Sequence, residues 1–347
     1  MSEPAARPSL SPSTSPDDWV RQCQNGDRRA ASRLISLLES PDRTAAGAAS
    51  QAVAHLPFPK QSIGVTGPPG AGKSTLLDYL CSLYRARQKK VGILAIDPSS
   101  PFTGGALLGD RIRMGSHAGD SGVFIRSMGS RGASGALAAA ASDALRVLAA
   151  AGYDPVFIET VGAGQAETEV VNLADTVCVV QVPGLGDDVQ LMKMGMLEIA
   201  DVFAVNKGDK PEAQDLKLQL ELALQESDAE TCRAFRQLGK TFAASYSGPR
   251  WHSPVVLLSA LRRENGQALM DALDAHLAFL QDPVLSISLK RERLKRDLIW
   301  RASKRLQDSL LERLSVNGDL FSVLEDCISG TLSLDKAVER VLGSGNQ

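Results

Sequence analysis

The run Gly67-Pro68-Pro69-Gly70-Ala71-Gly72-Lys73-Ser74 fits the pattern G-x-x-x-x-G-K-[ST] in full, with Thr75 continuing it. Glycines at these spacings let successive backbone N–H groups turn toward a polyphosphate. A helix beginning at the lysine adds the positive end of its dipole to the same anion. Lys73 brings a charge to the β- and γ-phosphates, and the Ser74 hydroxyl is a ligand type suited to Mg²⁺. An apolar strand with Ile63 and Val65 runs into this turn, and a helix with Leu76, Leu77 and Leu80 leaves it. A chance glycine-rich turn would not need both flanks.

A second set of residues reads a base. Val202–Val205 runs into Asn206-Lys207-Gly208-Asp209, an N-K-x-D string at the end of a predicted strand. The Asp209 carboxylate can accept hydrogen bonds from both N1–H and the exocyclic amine of guanine, a donor pair that adenine lacks. Lys207 can lay its stem over the base, and Asn206 can tie the loop to the phosphate side. Ser259-Ala260, after the apolar run Pro254–Leu258, matches the weaker S-A element that backs guanine. Between these strings, Val156-Phe157-Ile158 ends in Glu159-Thr160-Val161-Gly162. Ordinary GTPases carry D-x-x-G there, with the carboxylate near Mg²⁺ and the glycine N–H sensing the γ-phosphate. Glu159 in place of Asp marks a subclass of P-loop GTPases that are largely metal-cofactor assembly factors.

The elements that must position these residues alternate. Strands are expected at Ser62–Thr66, Val91–Asp97, Gly122–Arg126, Pro155–Glu159, Thr176–Val182, Val202–Asn206 and Val255–Ser259. Most are continuous apolar runs, as strands covered on both faces require. Helices are expected at Ser74–Arg87, Gly135–Ala151, Val189–Ile199 and Lys217–Gln237, the alanines of the second allowing close helix–sheet packing. This predicts an α/β fold of the P-loop NTPase (G-domain) type with a mostly parallel central sheet. The domain is expected over 61–282, after a disordered tail (1–16) and a helical extension (17–60). In that extension Asp17–Leu38 reads as one helix capped by Asp17 or Asp18, followed by a looser Ala-rich stretch to Leu56. Over 283–347 the strand pattern stops. Leu289–Leu314 places Leu294, Leu298, Ala302, Leu306 and Leu310 at helical spacing, and Leu320–Leu342 gives a further helix or two.

Composition sets the bounds. The chain has 347 residues, 44% hydrophobic and 22% charged, close to soluble averages, so it can bury a core. A formal net charge of −2 gives no argument for nucleic acid. No apolar run reaches membrane-spanning length, and Met1–Pro16 has no signal-peptide core. The five cysteines contain no C-x-x-C pair, which reads as small buried apolar residues in a reducing, cytoplasmic setting.

Further segments narrow the subclass. Asp97-Pro98-Ser99-Ser100, Gly104-Gly105, Gly109-Asp110 with Arg113-Met114, Phe124-Ile125-Arg126, the Gly129–Gly135 loop, Glu159–Glu167 and Pro183–Lys193 closely resemble one family. It is the MeaB/ArgK family of P-loop GTPases, chaperones of adenosylcobalamin-dependent acyl-CoA mutases. The resemblance spans about Gly26 to Leu280 and more loosely the C-terminal helices. It implies that Asp97, Asp110 and Glu159 group around Mg²⁺ with Ser74, and that Asp187–Lys193 is a third switch loop with Lys193 its functional lysine. It also implies a homodimerising C-terminal arm, GTP/GDP as ligand, and a methylmalonyl-, isobutyryl- or 2-hydroxyisobutyryl-CoA mutase as client, with cobalamin held by that partner. Gln165 stands three residues beyond Gly162, so it is not assigned to position the attacking water.

Weaker features read plainly. Asp274-Ala275-His276-Leu277-Ala278-Phe279 almost fits the cobalt-ligating D-x-H-x-x-G pattern, but Phe279 replaces the glycine, and His276 reads as a surface helical histidine. The basic run from Lys290 to Arg305 reads as a solvated helix face or a dimer contact. Competing functions are a metallochaperone GTPase of the Glu subclass, usually marked by Cys/His strings, and an ATP-using small-molecule kinase, which Asn206–Asp209 opposes.

Overall fold

The structure, a computed structural model, describes residues 15–40, 42–97, 117, 119–129, 136–160, 172–184, 196–226, 232–315, 318 and 320–343. Contacts divide the chain into two units, Met1–Glu292 and Arg293–Gln347.

The first unit is built on a seven-stranded sheet. Its strands are β1 (Ser62–Thr66), β2 (Val91–Asp97), β3 (Val123–Gly129), β4 (Val156–Thr160), β5 (Thr176–Gln181), β6 (Val202–Val205) and β7 (Val255–Leu257). They lie in the order β3-β2-β4-β1-β5-β6-β7, every pair parallel. Side chains alternate between two cores. Val156 and Ile158 of β4, Val177 and Val179 of β5, and Phe203 and Val205 of β6 face one layer of helices. Ile63 and Val65 of β1, Phe157 of β4 and Cys178 and Val180 of β5 face the other. Burial on both faces is why these strands read as unbroken apolar runs.

The layer beneath β1, β4 and β5 holds α4 (Lys73–Ala86), with Leu76, Leu77 and Leu80 fully buried. Against the opposite face lies α5 (Ala136–Ala150). Outside it, α1 (Pro16–Gln24), α2 (Arg28–Leu38) and α3 (Arg43–Val53) share the same core. Ala140, Ala141 and Ala144 are thus packed between a sheet and a helical layer, and small side chains permit both approaches. The expected single helix Asp17–Leu38 is two. Gly26 adopts φ +85°, ending α1, and the Asp27 carboxylate caps α2 through the Arg29 amide. The cap of α1 is Ser15, in a reciprocal capping box with Asp18 and with Pro16 in the first turn, not Asp17 or Asp18. Of the predicted tail, only Ser15 and Pro16 lie among the described residues, and they start this helix. The looser Ala-rich stretch is α3, capped by Asp42.

Beyond β5 come α6 (Met196–Ile199), α7 (Glu212–Glu226), α8 (Arg233–Leu238), α9 (Lys240–Ser245) and α10 (Gly266–Leu280). The expected helix Lys217–Gln237 is therefore replaced by α7 and α8, the latter starting after Cys232. The remaining helices are α11 (Pro283–Arg313), started by the Asp282 carboxylate on the Val284 and Leu285 amides, α12 (Phe321–Ile328) and α13 (Leu334–Gly343). No helix among the described residues is long and apolar enough to cross a membrane. Cys23, Cys81 and Cys178 are buried as expected, whereas Cys232 and Cys327 are only partly so.

Candidate functional site

The turn 67–72 leaves the carboxyl end of the central strand β1, with β4 on one side and β5 on the other. Chain order reverses direction across the sheet at this strand, the place where open parallel sheets form a ligand crevice. A Cβ on Gly67, at φ +142°, would lie 2.2 Å from the Val180 carbonyl oxygen of β5. A Cβ on Gly72, at φ +83°, would lie 2.6 Å from Asn206 Nδ2. Both positions therefore demand glycine. No side chain caps the N-terminus of α4, so its first-turn amides face outward for a ligand. Lys73 is buried, and its Nζ donates to the carbonyls of Gly67 (2.7 Å) and Pro68 (3.2 Å).

Asn206 joins three segments. Its Nδ2 donates to the Ala71 carbonyl (2.9 Å), and its Oδ1 accepts from the amides of Ala260 (2.9 Å) and Lys207 (2.8 Å). Lys207, held at φ +58°, sends Nζ to the Gly70 carbonyl at 3.0 Å. Gly208 N–H bonds the Leu258 carbonyl at 2.8 Å, closing the loop against β7's exit. Asp209 Oδ1 accepts from the Ser259 hydroxyl (2.8 Å), while Arg262 stands 3.8 Å from Oδ2. The Ser259 hydrogen bond, then a backbone amide and Arg262, hold the Asp209 carboxyl below the usual range, so it is a carboxylate near neutrality.

A third corner lies at the ends of β1 and β4. Ser74 Oγ donates to Glu159 Oε1 at 2.6 Å, and Glu159 is 2% exposed. The backbone of Asp97 ends the neighbouring strand β2, two positions beyond Ala95, the register partner of Glu159. Pro68, Pro69, Ala71 and Thr75 occupy the turn and first helical turn as predicted, Thr75 exposed. Asp110, Gly162 and Lys193, with the Gly129–Gly135 loop beyond Gly129 and the third switch segment, lie outside the described residues.

Spacing gave no hint of Tyr79. Its hydroxyl donates to the Arg263 carbonyl (2.6 Å) and accepts from the Gly266 amide (3.2 Å), tying α4 to the loop that carries Ser259. Arg263 and Asn265 in that loop both take positive φ. Strained non-glycine residues of this kind persist where surroundings over-determine them, often at ligand clamps.

At the opposite end of the sheet, His276 is buried rather than on the surface, at 1% exposure. Its Nδ1 meets Thr176 Oγ1 at 2.8 Å, and Trp251 packs on its ring at 4.7 Å between centroids. It is a core residue of α10, with no part in the phosphate or base corners.

A parallel sheet whose middle strand feeds a glycine turn and helix, beside an N-K-x-D loop, defines a P-loop GTPase domain. The model of the MeaB family, methylmalonyl-CoA mutase-associated GTPases, matches residues 31–318. The chain belongs to that family. It is 48% identical over 280 residues to a GTPase of Pyrococcus abyssi, covering 81% of each. It is 36% identical over 219 residues to the fused isobutyryl-CoA mutase of Geobacillus kaustophilus, 60% of this chain and 20% of that one. The crystal structure of an LAO/AO transport system kinase shares the fold, with a TM-score of 0.64 at 24% identity, covering 98% of this chain and 100% of that one.

Proposed function

We propose that this chain is a guanine-nucleotide switch that hydrolyses GTP slowly and uses its nucleotide state to gate cofactor loading and repair of an adenosylcobalamin-dependent acyl-CoA mutase. The observation that carries the nucleotide part is Asn206, whose single amide group fixes the spacing between the phosphate turn, the Asp209 loop and Ser259-Ala260. The amides of Gly70–Thr75 cradle the phosphates, and Lys73 exchanges the carbonyls of Gly67 and Pro68 for phosphate oxygens. Asp209 accepts from the guanine N1–H and amine, Lys207 covers the base with its stem, and Ser259 keeps the carboxylate aimed.

The Ser74 hydroxyl and Glu159 carboxylate, 2.6 Å apart, form an all-oxygen corner that fits a hard divalent cation. Ser74 and Glu159 would hold Mg²⁺ there, with Asp97 and Asp110 as further carboxylates. Bound at that corner, Mg²⁺ supplies charge neutralisation to the β- and γ-phosphate oxygens. Gly162 reports the γ-phosphate, and Lys193 couples that state to the client.

The client class rests on the family's association with methylmalonyl-CoA mutase and on the relative that is itself a fused isobutyryl-CoA mutase. Methylmalonyl-, isobutyryl- and 2-hydroxyisobutyryl-CoA mutases are the candidates, and the cobalamin sits on that partner. The exposed stripe Leu294, Leu298 and Leu306 on α11 supports a homodimerising arm in the second unit. Co-purification with each mutase under GTP and then GDP tests the proposal. A nucleotide-dependent complex with one mutase, and faster single-turnover hydrolysis in its presence, is expected. Equal rates with and without every candidate would contradict the switch.

A further inference from the structure

Asp209 is the residue on which guanine selection turns, yet both of its oxygens already have neighbours. Ser259 holds Oδ1 at 2.8 Å, and the guanidinium of Arg262 stands 3.8 Å from Oδ2. The two contacts differ in kind. Ser259 is buried, while the Arg262 side chain is 58% exposed and approaches the carboxylate from solvent. Arg262 is not there by accident of a loose loop. Its own amide points at Ser259 Oγ (3.4 Å), and the turn is closed by the Glu264 amide on the Ser259 carbonyl and the Arg263 amide on the Ala260 carbonyl. Tyr79 fixes the same turn from α4. The backbone of residue 262 is thus anchored while its side chain can swing.

A guanidinium presents coplanar N–H donors to a carboxylate, the same donor geometry that the Watson–Crick edge of guanine offers through N1–H and its exocyclic amine. Two such donor sets compete for one carboxylate. From this we infer that Arg262 is a resident counter-ion of the base site, occupying the outer oxygen of Asp209 until the guanine amine displaces it. This rests on the reading of Asp209 as the base-selecting residue. An exposed ion pair of this length is weak, so guanine can displace it.

The competition has a consequence for selectivity. Inosine offers N1–H but has no exocyclic amine, so ITP leaves one carboxylate oxygen without a ligand partner. In the native chain Arg262 covers that oxygen and softens the penalty for ITP. With GTP the amine must evict Arg262, which lowers the gain from the correct base. Arg262 is therefore a specificity-setting positioning residue that narrows the margin between GTP and ITP.

The test is calorimetric titration of wild type, Arg262→Ala, Arg262→Lys and Asp209→Asn with GTP and ITP in magnesium buffer. Long-range attraction of the arginine for the triphosphate acts on both nucleotides alike and cancels in their affinity ratio, so the ratio is the readout. Arg262→Ala is expected to raise the GTP-over-ITP ratio by about threefold to fivefold, the upper part of what an exposed ion pair supplies, with Arg262→Lys between it and wild type. An unchanged or smaller ratio in Arg262→Ala overturns the inference. If Asp209→Asn loses GTP while Arg262→Ala keeps the wild-type ratio, only the role of Arg262 falls. If Asp209→Asn binds GTP as wild type does, the base-site reading itself falls.

Discussion

At the carboxyl ends of β1 and β6, polar side chains hold one another through contacts that a ligand can exchange. Lys73 rests on two turn carbonyls, Ser74 on Glu159, and Arg262 near Asp209. At the amino ends of β5 and β6 the polar groups are sealed. Asp201 and His276 are each 1% exposed, and Arg233 donates to Asp201 Oδ2 at 2.7 Å and to the Ala174 carbonyl at 3.2 Å. Asp201 Oδ2 also accepts from the Val177 amide, and Trp251 Nε1 donates to the Asp201 carbonyl. Asp201 Oδ1 and His276 Nε2 face each other at 3.5 Å, and neither atom has a hydrogen-bond partner among the described residues. One end of the sheet is arranged to change partners, and the other to keep them. The first should govern ligand affinity with little effect on folding, and the second the reverse.

Arg233→Ala should break this division most severely if it is false. Removing one partner of a buried pair leaves an uncompensated charge, typically costing about 3–5 kcal/mol. Denaturant unfolding should show that loss, while the folded fraction keeps its nucleotide affinity. A loss of affinity without loss of stability would erase the contrast.

Asp209→Asn is the converse experiment. Xanthine carries a carbonyl where guanine has its amine, so the mutant should lose GTP by about 3 kcal/mol and gain XTP, with an unchanged unfolding midpoint. Wild-type GTP affinity in this variant would remove Asp209 from the site.

His276 gives the sealed end of the sheet a dependence on pH. Burial pushes its pKa down to about 4 from the ordinary 6.5, against the opposing pull of Asp201. The folded state therefore refuses a proton that the unfolded chain accepts. The stability is fully present above pH 6.5 and is lost as pH falls from 6.5 toward 4, by up to about 3 kcal/mol. Unfolding midpoints at pH 7 and 4.5 should differ less for His276→Gln than for wild type. Equal differences would mean that the histidine is already charged when folded.

Ser259→Ala gives the smallest effect. It frees Asp209 from its orienting hydroxyl and should weaken GTP by about 1 kcal/mol with little change in stability.

Both-face burial made the strands readable, because Val177–Val180 or Val202–Val205 can only be interior. The phosphate and base strings were readable because each residue type answers a local demand, such as the glycine needed where Asn206 crosses Gly72. What escaped was set by contacts distant in sequence. Tyr79 meets Arg263 across 184 positions, and neither residue type announces that meeting. Asp17–Leu38 looked like one helix because its apolar spacing continues across the Asn25-Gly26 break. His276 was legible after all. Leu269, Met270, Leu273, His276, Phe279 and Leu280 follow one helical stripe, and all are buried. The near-match to a cobalt-binding string drew attention to its chemistry and away from its face of the helix.

In the proposed nucleotide site the amides around Lys73 hold a triphosphate while Asp209 chooses its purine. Calorimetric titration of the intact chain with GTP and with ATP in magnesium buffer tests it most directly. Tight, saturable GTP binding is expected, with ATP binding weaker by two orders of magnitude or more, on the order of 3 kcal/mol. Equal affinity for the two nucleotides would contradict it.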